Sequence, residues 1–193
     1  MQGHDERVTG FAHPGRNVGA LDVEPGMVIA DLGAGSGHYT LQFAERLGGT
    51  GRVYSIDVQR DLLRRIKNEA DRRGFKNVDT IVGDIERLHG THIADASVDL
   101  VLMSNLLFQL EHPKAALAEA WRIIKPSGRL ALIDWSDSPP AGGPGLGPRK
   151  KDVLLKEKAL ALATESGFES IREFSAGAHH YGLIFRPASR PRA

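Results

Sequence analysis

The chain has 193 residues, enough for one domain with a substantial core and too few for two comfortable ones. Its composition, 41% hydrophobic and 25% charged, is that of an ordinary globular protein, and a net charge of +1 gives no case for a nucleic-acid-binding face. With no cysteine at all, disulfides, thiolate metal sites and a cysteine nucleophile are excluded.

Residues 1–7 lack the apolar segment of a signal peptide, and no apolar run approaches the roughly 18 residues that span a bilayer, so a soluble cytoplasmic protein is the expectation. Residues 1–20 are polar and broken by Pro14, Gly15 and Gly19, which predicts an arm with little regular structure, either a frayed terminus or a flap over a ligand. Glu24-Pro25-Gly26 is a turn signal that launches a first strand. Residues 28–39 open with a short apolar run, pass through Gly33, Gly35 and Gly37, and lead into an amphipathic segment. That is a buried strand, a tight turn and the first turn of a helix. Glycine there lets the backbone bend sharply and a ligand lie directly on it, and the helix N-terminus offers unsatisfied N–H groups.

A helix over 38–47 stops at Gly48-Gly49, a second strand over 52–58 carries Asp57 at its end, and a charged helix over 60–73 keeps Leu62, Leu63, Ile66 and Ala70 on one side. A third strand over 77–82 ends at Gly83-Asp84-Ile85. The near-continuous apolar run 97–103 suits a parallel strand covered on both faces. A helix over 113–125, with Pro113 in its first turn, is followed by the turn Pro126-Ser127-Gly128 and a fifth strand over 129–135. The Pro- and Gly-rich stretch 136–149 is a loop, either on the acceptor side of the site or a mere connector. A helix over 150–166, strands near 168–175 and 181–186, and a basic tail over 187–193 complete the chain.

Strands alternating with helices at this rhythm imply an α/β fold, a doubly wound, mostly parallel sheet of seven strands. The last two strands have no helix between them, so a C-terminal strand runs antiparallel. One domain over 1–193 is expected. Such sheets bind ligands at the carboxyl ends of their strands, where Asp31, Asp57 and Asp84 stand in succession. Each is also an ordinary cap or turn former. The glycine spacing is G-x-G-x-G, not the dinucleotide G-x-G-x-x-G, and no Gly-Lys-Ser/Thr follows as in a P-loop. An early carboxylate at Asp31 repels a pyrophosphate and attracts an amino group, so the ligand reads as a nucleoside carrying an ammonium.

The run Asp31-Leu32-Gly33-Ala34-Gly35-Ser36-Gly37 resembles motif I of class I S-adenosylmethionine-dependent methyltransferases, whose fold is Rossmann-like. Residues 97–101 and 125–130 are similar to later segments of that family, and the closest subgroup is the type 11, ubiquinone/menaquinone-biosynthesis-like set. The resemblance implies S-adenosylmethionine as cofactor, with S-adenosylhomocysteine as product. It implies that the backbone of Gly33, Ala34, Gly35 and Gly37 lies against the methionine part and ribose, with Asp31 near the ammonium. Asp57 would take the ribose hydroxyls, Val58 would pack on the adenine, and Gly83, Asp84 and Ile85 would form the adenine loop. Ser104 or Asn105 would sit near the transferred methyl.

Methyl transfer is an in-line displacement that needs a base only if the acceptor keeps its proton until attack. A small-molecule methyl acceptor is the expectation. The Asn/Asp-Pro-Pro-Tyr signature of adenine and glutamine N-methyltransferases is absent at 104–108, and the thiols that arsenite methyltransferases use are missing. Asp134, at the end of the fifth strand, is the best-placed acid–base candidate, with His112, His180 and Tyr181 behind it; His112 reads as well as a helix cap. No metal site is expected, since His179 and His180 point to opposite faces of a strand. Leu106, Leu107, Phe108 and Leu110 line an acceptor pocket or belong to the core. A non-catalytic S-adenosylmethionine-binding module and a protein or RNA methyltransferase are the competing readings.

Overall fold

The computed structural model describes residues 12–136 and 148–188. Residues 1–11, most of the predicted 136–149 loop and the end of the tail lie outside the described residues. The elements, in chain order, are α1 (Pro14–Gly19), β1 (Val28–Leu32), α2 (His38–Arg46), β2 (Arg52–Asp57), α3 (Arg60–Arg72), β3 (Val78–Val82), β4 (Val98–Ser104), α4 (Pro113–Ile123), β5 (Ile124–Trp135), α5 (Lys156–Glu165), β6 (Phe168–Gly177) and β7 (His180–Pro187). The seven strands form one sheet in the order β3-β2-β1-β4-β5-β7-β6. β1 to β5 are parallel, and β7 runs antiparallel to both β5 and β6. This is the doubly wound, mostly parallel architecture that the alternation of elements implied. Chain order reverses between β1 and β4, which places a crevice above their carboxyl ends.

Alternation along the strands feeds two apolar layers. Ala30 and Leu32 of β1, Leu130 and Leu132 of β5 and Phe185 of β7 pack with Leu117, Ala120, Ala159 and Ala163 of α4 and α5. Ile29, Ala131 and Ile133 face the other way, with Phe43 of α2, Leu47 just after it, and Leu63, Ile66 and Ala70 of α3. α3 stays amphipathic despite its charge because only these three of its residues are buried.

Three elements differ from the sequence expectation. The arm is not wholly irregular, because Pro14 starts a short helix at a position where its missing N–H costs nothing, and buried Asn17 and Val18 hold that helix on α2. β5 begins at Ile124 rather than after a turn at 126–128. Ile124 pairs with Val98 across a register shift, Lys125 Nζ reaches Asp99 at 2.8 Å, and a Cβ on Gly128 would meet the carbonyls of Val98 and Asp99 at 3.0 Å. The 150–166 helix starts only at Lys156. Lys150–Asp152 is a 3₁₀ turn, and the stretch after it is drawn straight where the Tyr181 hydroxyl donates to the Leu154 carbonyl at 3.0 Å. Among the described residues no helix is long and apolar enough to cross a membrane.

Candidate functional site

The carboxyl ends of β1, β2 and β3 are stitched together by the turns that leave them. Ala34 N–H donates to the Ile56 carbonyl, and Gly83 N–H to the Asp57 carbonyl, at 3.0 and 3.1 Å. The Asp57 carboxylate is aimed by the backbone: Oδ2 accepts from Gly35 N–H at 3.0 Å and Oδ1 from Gln59 N–H at 2.9 Å. Each oxygen keeps a second lone pair for a ligand. Asp84 is held in the same manner, its Oδ1 accepting from Glu86 N–H at 3.0 Å while Oδ2 pairs with Arg87 at 3.0 Å.

These groups border one cavity. Of the residues singled out from sequence, it brings together Gly33, Gly35, Asp57, Val58, Gly83, Asp84, Ile85 and Asn105. Two of its features suit a flat, polar-ended ligand. Gly35 has φ +54°, and a Cβ built on it would meet only the Gly33 carbonyl oxygen, at 3.9 Å, so the cavity itself runs up to bare backbone. Val58 is 62% exposed, an apolar side chain with nothing packed over it. Asn105, also at positive φ, adds a buried side-chain oxygen that has no hydrogen-bond partner, although its backbone N–H reaches the Ile133 carbonyl at 2.7 Å. A ligand with a donor at this end would satisfy it.

Asp31, Ala34, Gly37 and Ser104 are not in the wall of this cavity. Asp31 is buried beneath the turn, where Thr40 Oγ1 donates to it at 2.6 Å, and burial pushes its pKa up to about 7 against that hydrogen bond. Ala34 acts through its backbone. Gly37 is the left-handed residue that caps α2, tight against Ile66. Leu106 and Leu110 of the apolar stripe complete the wall together with Gln59, Glu86 and Gln109, which sequence reasoning missed. Leu106 packs directly on the glycine turn: a Cβ on Gly33 would lie 2.6 Å from Leu106 Cδ1.

The acid–base candidates are not gathered there. The Asp134 carboxyl is buried, and burial raises its pKa to about 7 although its Oδ1 accepts from the Trp135 N–H at 2.9 Å and the N–H groups of Leu106, Leu107 and Phe108 face it. It lies beneath the 3₁₀ turn Leu107–Gln109. His112 is exposed at the N-terminus of α4, and its backbone N–H donates to Glu86 Oε1. The His180 ring is buried against Trp135, with ring centres 4.1 Å apart. Tyr181 is in the core, and burial pushes its phenol above the ordinary value. Of the apolar stripe, Leu106 and Leu110 reach the cavity, whereas Leu107 is buried in the core. Among the described residues no three His, Asp or Glu side chains are grouped closely enough to hold a metal ion.

Residues 23–176 match the family model described as a methyltransferase domain. The chain belongs to the methyltransferase domain family. Its resemblance to class I S-adenosylmethionine-dependent methyltransferases is thus carried by the whole domain as well as by motif I. A 115-residue stretch, 59% of the chain and 44% of the relative, is 34% identical to the ubiquinone/menaquinone biosynthesis C-methyltransferase UbiE of Hydrogenovibrio crunogenus. A stretch covering 56% of the chain and 33% of the relative is 36% identical to the arsenite methyltransferase of Aquipseudomonas alcaligenes. In both cases the matched part spans less than half of the curated relative. The fold superposes on a SAM-dependent methyltransferase from Aquifex aeolicus with a TM-score of 0.80 at 24% identity, covering 91% of this chain and 89% of that one. This methyltransferase domain therefore keeps the family sheet along nearly its full length.

Proposed function

We propose that this chain is an S-adenosylmethionine-dependent methyltransferase acting on a small-molecule acceptor. The observation that carries the reading is the Asp57 carboxylate, fixed by two backbone N–H groups beside a glycine whose missing Cβ opens the cavity. Asp57 takes the two ribose hydroxyls, Val58 covers one face of the adenine, Asp84 accepts from its exocyclic amine and the Ile85 N–H meets a ring nitrogen. Gly33 and Gly35 let the ribose and methionine part approach the backbone, and the Asn105 oxygen accepts from the ammonium. Asp31, Ala34 and Gly37 act one layer back, by shaping the turn.

The cofactor, when bound, supplies a methyl group on a sulfonium sulfur, and S-adenosylhomocysteine is the product. What the chain contributes is position. The four acid–base candidates lie outside the cavity wall, which supports an acceptor aligned for in-line attack rather than one deprotonated by Asp134 or a histidine. UbiE is a C-methyltransferase, and the Aquipseudomonas enzyme is an arsenite methyltransferase. The lack of cysteine in this chain sets it apart from a thiol-dependent arsenite reaction.

Isothermal calorimetry on the full chain tests the reading. S-adenosylmethionine and S-adenosylhomocysteine are expected to bind, NAD is not, and Asp57→Ala is expected to weaken binding at least tenfold, about 1.4 kcal/mol. Binding of NAD alone, or unchanged affinity in the variant, would overturn the ribose assignment. A panel of small-molecule acceptors with labelled methyl then identifies the product.

A further inference from the structure

Asn105 combines two features that a folded chain ordinarily avoids. Its φ is +53°, in the left-handed region that few residues other than glycine enter, and its buried side-chain oxygen has no hydrogen-bond partner. Asparagine tolerates that region better than most residues, but such a conformation persists only where the surroundings impose it. Here they do so from both sides. The Asn105 N–H donates to the Ile133 carbonyl at 2.7 Å, which ties the end of β4 to β5. Gln109 Nε2 donates to the Asn105 carbonyl at 2.5 Å, reaching back over the 3₁₀ turn Leu107–Gln109. Both main-chain groups of Asn105 are spent, so its side-chain amide is what it has left for a ligand.

Of the two bonds, the first continues the pairing of β4 with β5, whereas the second comes from an exposed side chain and adds nothing to the sheet. Its place is the cavity, which Asn105, Leu106 and Gln109 line together. The carbonyl that Gln109 holds belongs to the peptide joining Asn105 to Leu106. Without that bond the peptide is free to turn and φ of Asn105 to relax toward the negative range, which swings the amide to a new direction. We propose that Gln109 is a positioning residue, which keeps Asn105 left-handed so that its amide oxygen meets the ammonium at the amino-acid end of the ligand. This rests on the S-adenosylmethionine reading above.

Calorimetry with two probes isolates the effect: S-adenosylhomocysteine, and 5′-methylthioadenosine, which lacks the amino-acid end. Gln109→Met keeps the length of the side chain and loses the donor. It is expected to weaken S-adenosylhomocysteine about tenfold, the size of one lost hydrogen bond to a charged group, and to leave methylthioadenosine unchanged. Asn105→Gly accepts the left-handed backbone but has no amide, so it should show the same selective loss. The double variant separates positioning from direct contact: acting through Asn105, Gln109→Met adds nothing in the Asn105→Gly background. A loss that persists there means that Gln109 touches the ligand itself and overturns the positioning role. Equal losses for both probes, or no loss for S-adenosylhomocysteine in either single variant, overturn it as well. Should methylthioadenosine bind too weakly to measure, the cycle on S-adenosylhomocysteine decides the matter by itself. A wild-type chain that binds neither probe overturns the cofactor reading and this inference with it, whereas normal wild-type binding with no selective loss overturns this inference only.

Discussion

Asp31 and Asp134 are carboxyl groups kept in the interior of the fold, each with its pKa raised by burial to about 7 from an ordinary 3.8. Between these values the native chain holds protons that the unfolded chain has released. Stability therefore falls as pH rises from about 4 to 7, by up to about 1.4 kcal/mol per unit for each group, and levels off above about pH 7. Asp31→Asn keeps an acceptor for Thr40 and has no charge to desolvate. In urea unfolding it is expected to flatten the slope between pH 5 and 7 and to be more stable than wild type at pH 8; an unaltered slope would show that Asp31 is ionised in the native state. Gly35 presents the opposite case, a residue chosen for what it lacks. Gly35→Ala strains a φ of +54° without a steric clash, so it is expected to cost about 1 kcal/mol of stability. S-adenosylhomocysteine affinity should fall much further, by more than tenfold in calorimetry, because the new methyl group enters the cavity.

The stretch between β3 and β4 has no helix or strand, yet it begins with residues 83–86, which line the cavity. It is ordered by α4. Glu119, 1% exposed, accepts from His89 N–H at 3.0 Å, Thr91 N–H at 3.1 Å and the Thr91 hydroxyl at 2.7 Å. Arg122 closes the arrangement, bonding both Glu119 oxygens at 2.7–2.8 Å and the Ile93 carbonyl at 2.8 Å. Burial pushes the Glu119 carboxyl up, but Arg122, Thr91 and the His89 N–H together hold it near 2. Arg122→Met removes the cation and leaves a buried carboxylate unpaired, which is expected to lower stability by about 3 kcal/mol or more. Amide exchange at His89 and Thr91 should accelerate ahead of the rest of the fold. Unchanged exchange there would mean that the loop is held by its own turns.

Across the whole molecule, one sheet separates two apolar layers. Phe43 on the α2 side and Phe185 on the α4–α5 side are both 0% exposed. Each truncation to alanine is expected to remove about 3–5 kcal/mol. If the two layers form one cooperative unit, circular dichroism and the fluorescence of Trp121 and Trp135 will report the same urea midpoint in each variant. Separate midpoints would divide the layers into independent units.

The order of elements was legible in the sequence because it depends on local pattern: apolar runs with turn residues between them, and Gly33, Gly35 and Gly37 spaced for a strand-to-helix turn. So were the cavity-lining acids Asp57 and Asp84, since a strand end fixes where a side chain stands. The start of β5 at Ile124 was not legible, nor was the late start of α5, because pairing with Val98 and a bond from Tyr181 decided them. The sequence also placed Asp31 and Asp134 at strand ends without saying that one lies under a turn and the other beneath a loop. Periodicity and turn chemistry act between neighbours and so determined the fold class and the glycine cradle. Which carboxylates line the cavity, and which disappear into the interior beneath it, depends on contacts between residues far apart in the chain, and only the tertiary structure decided it.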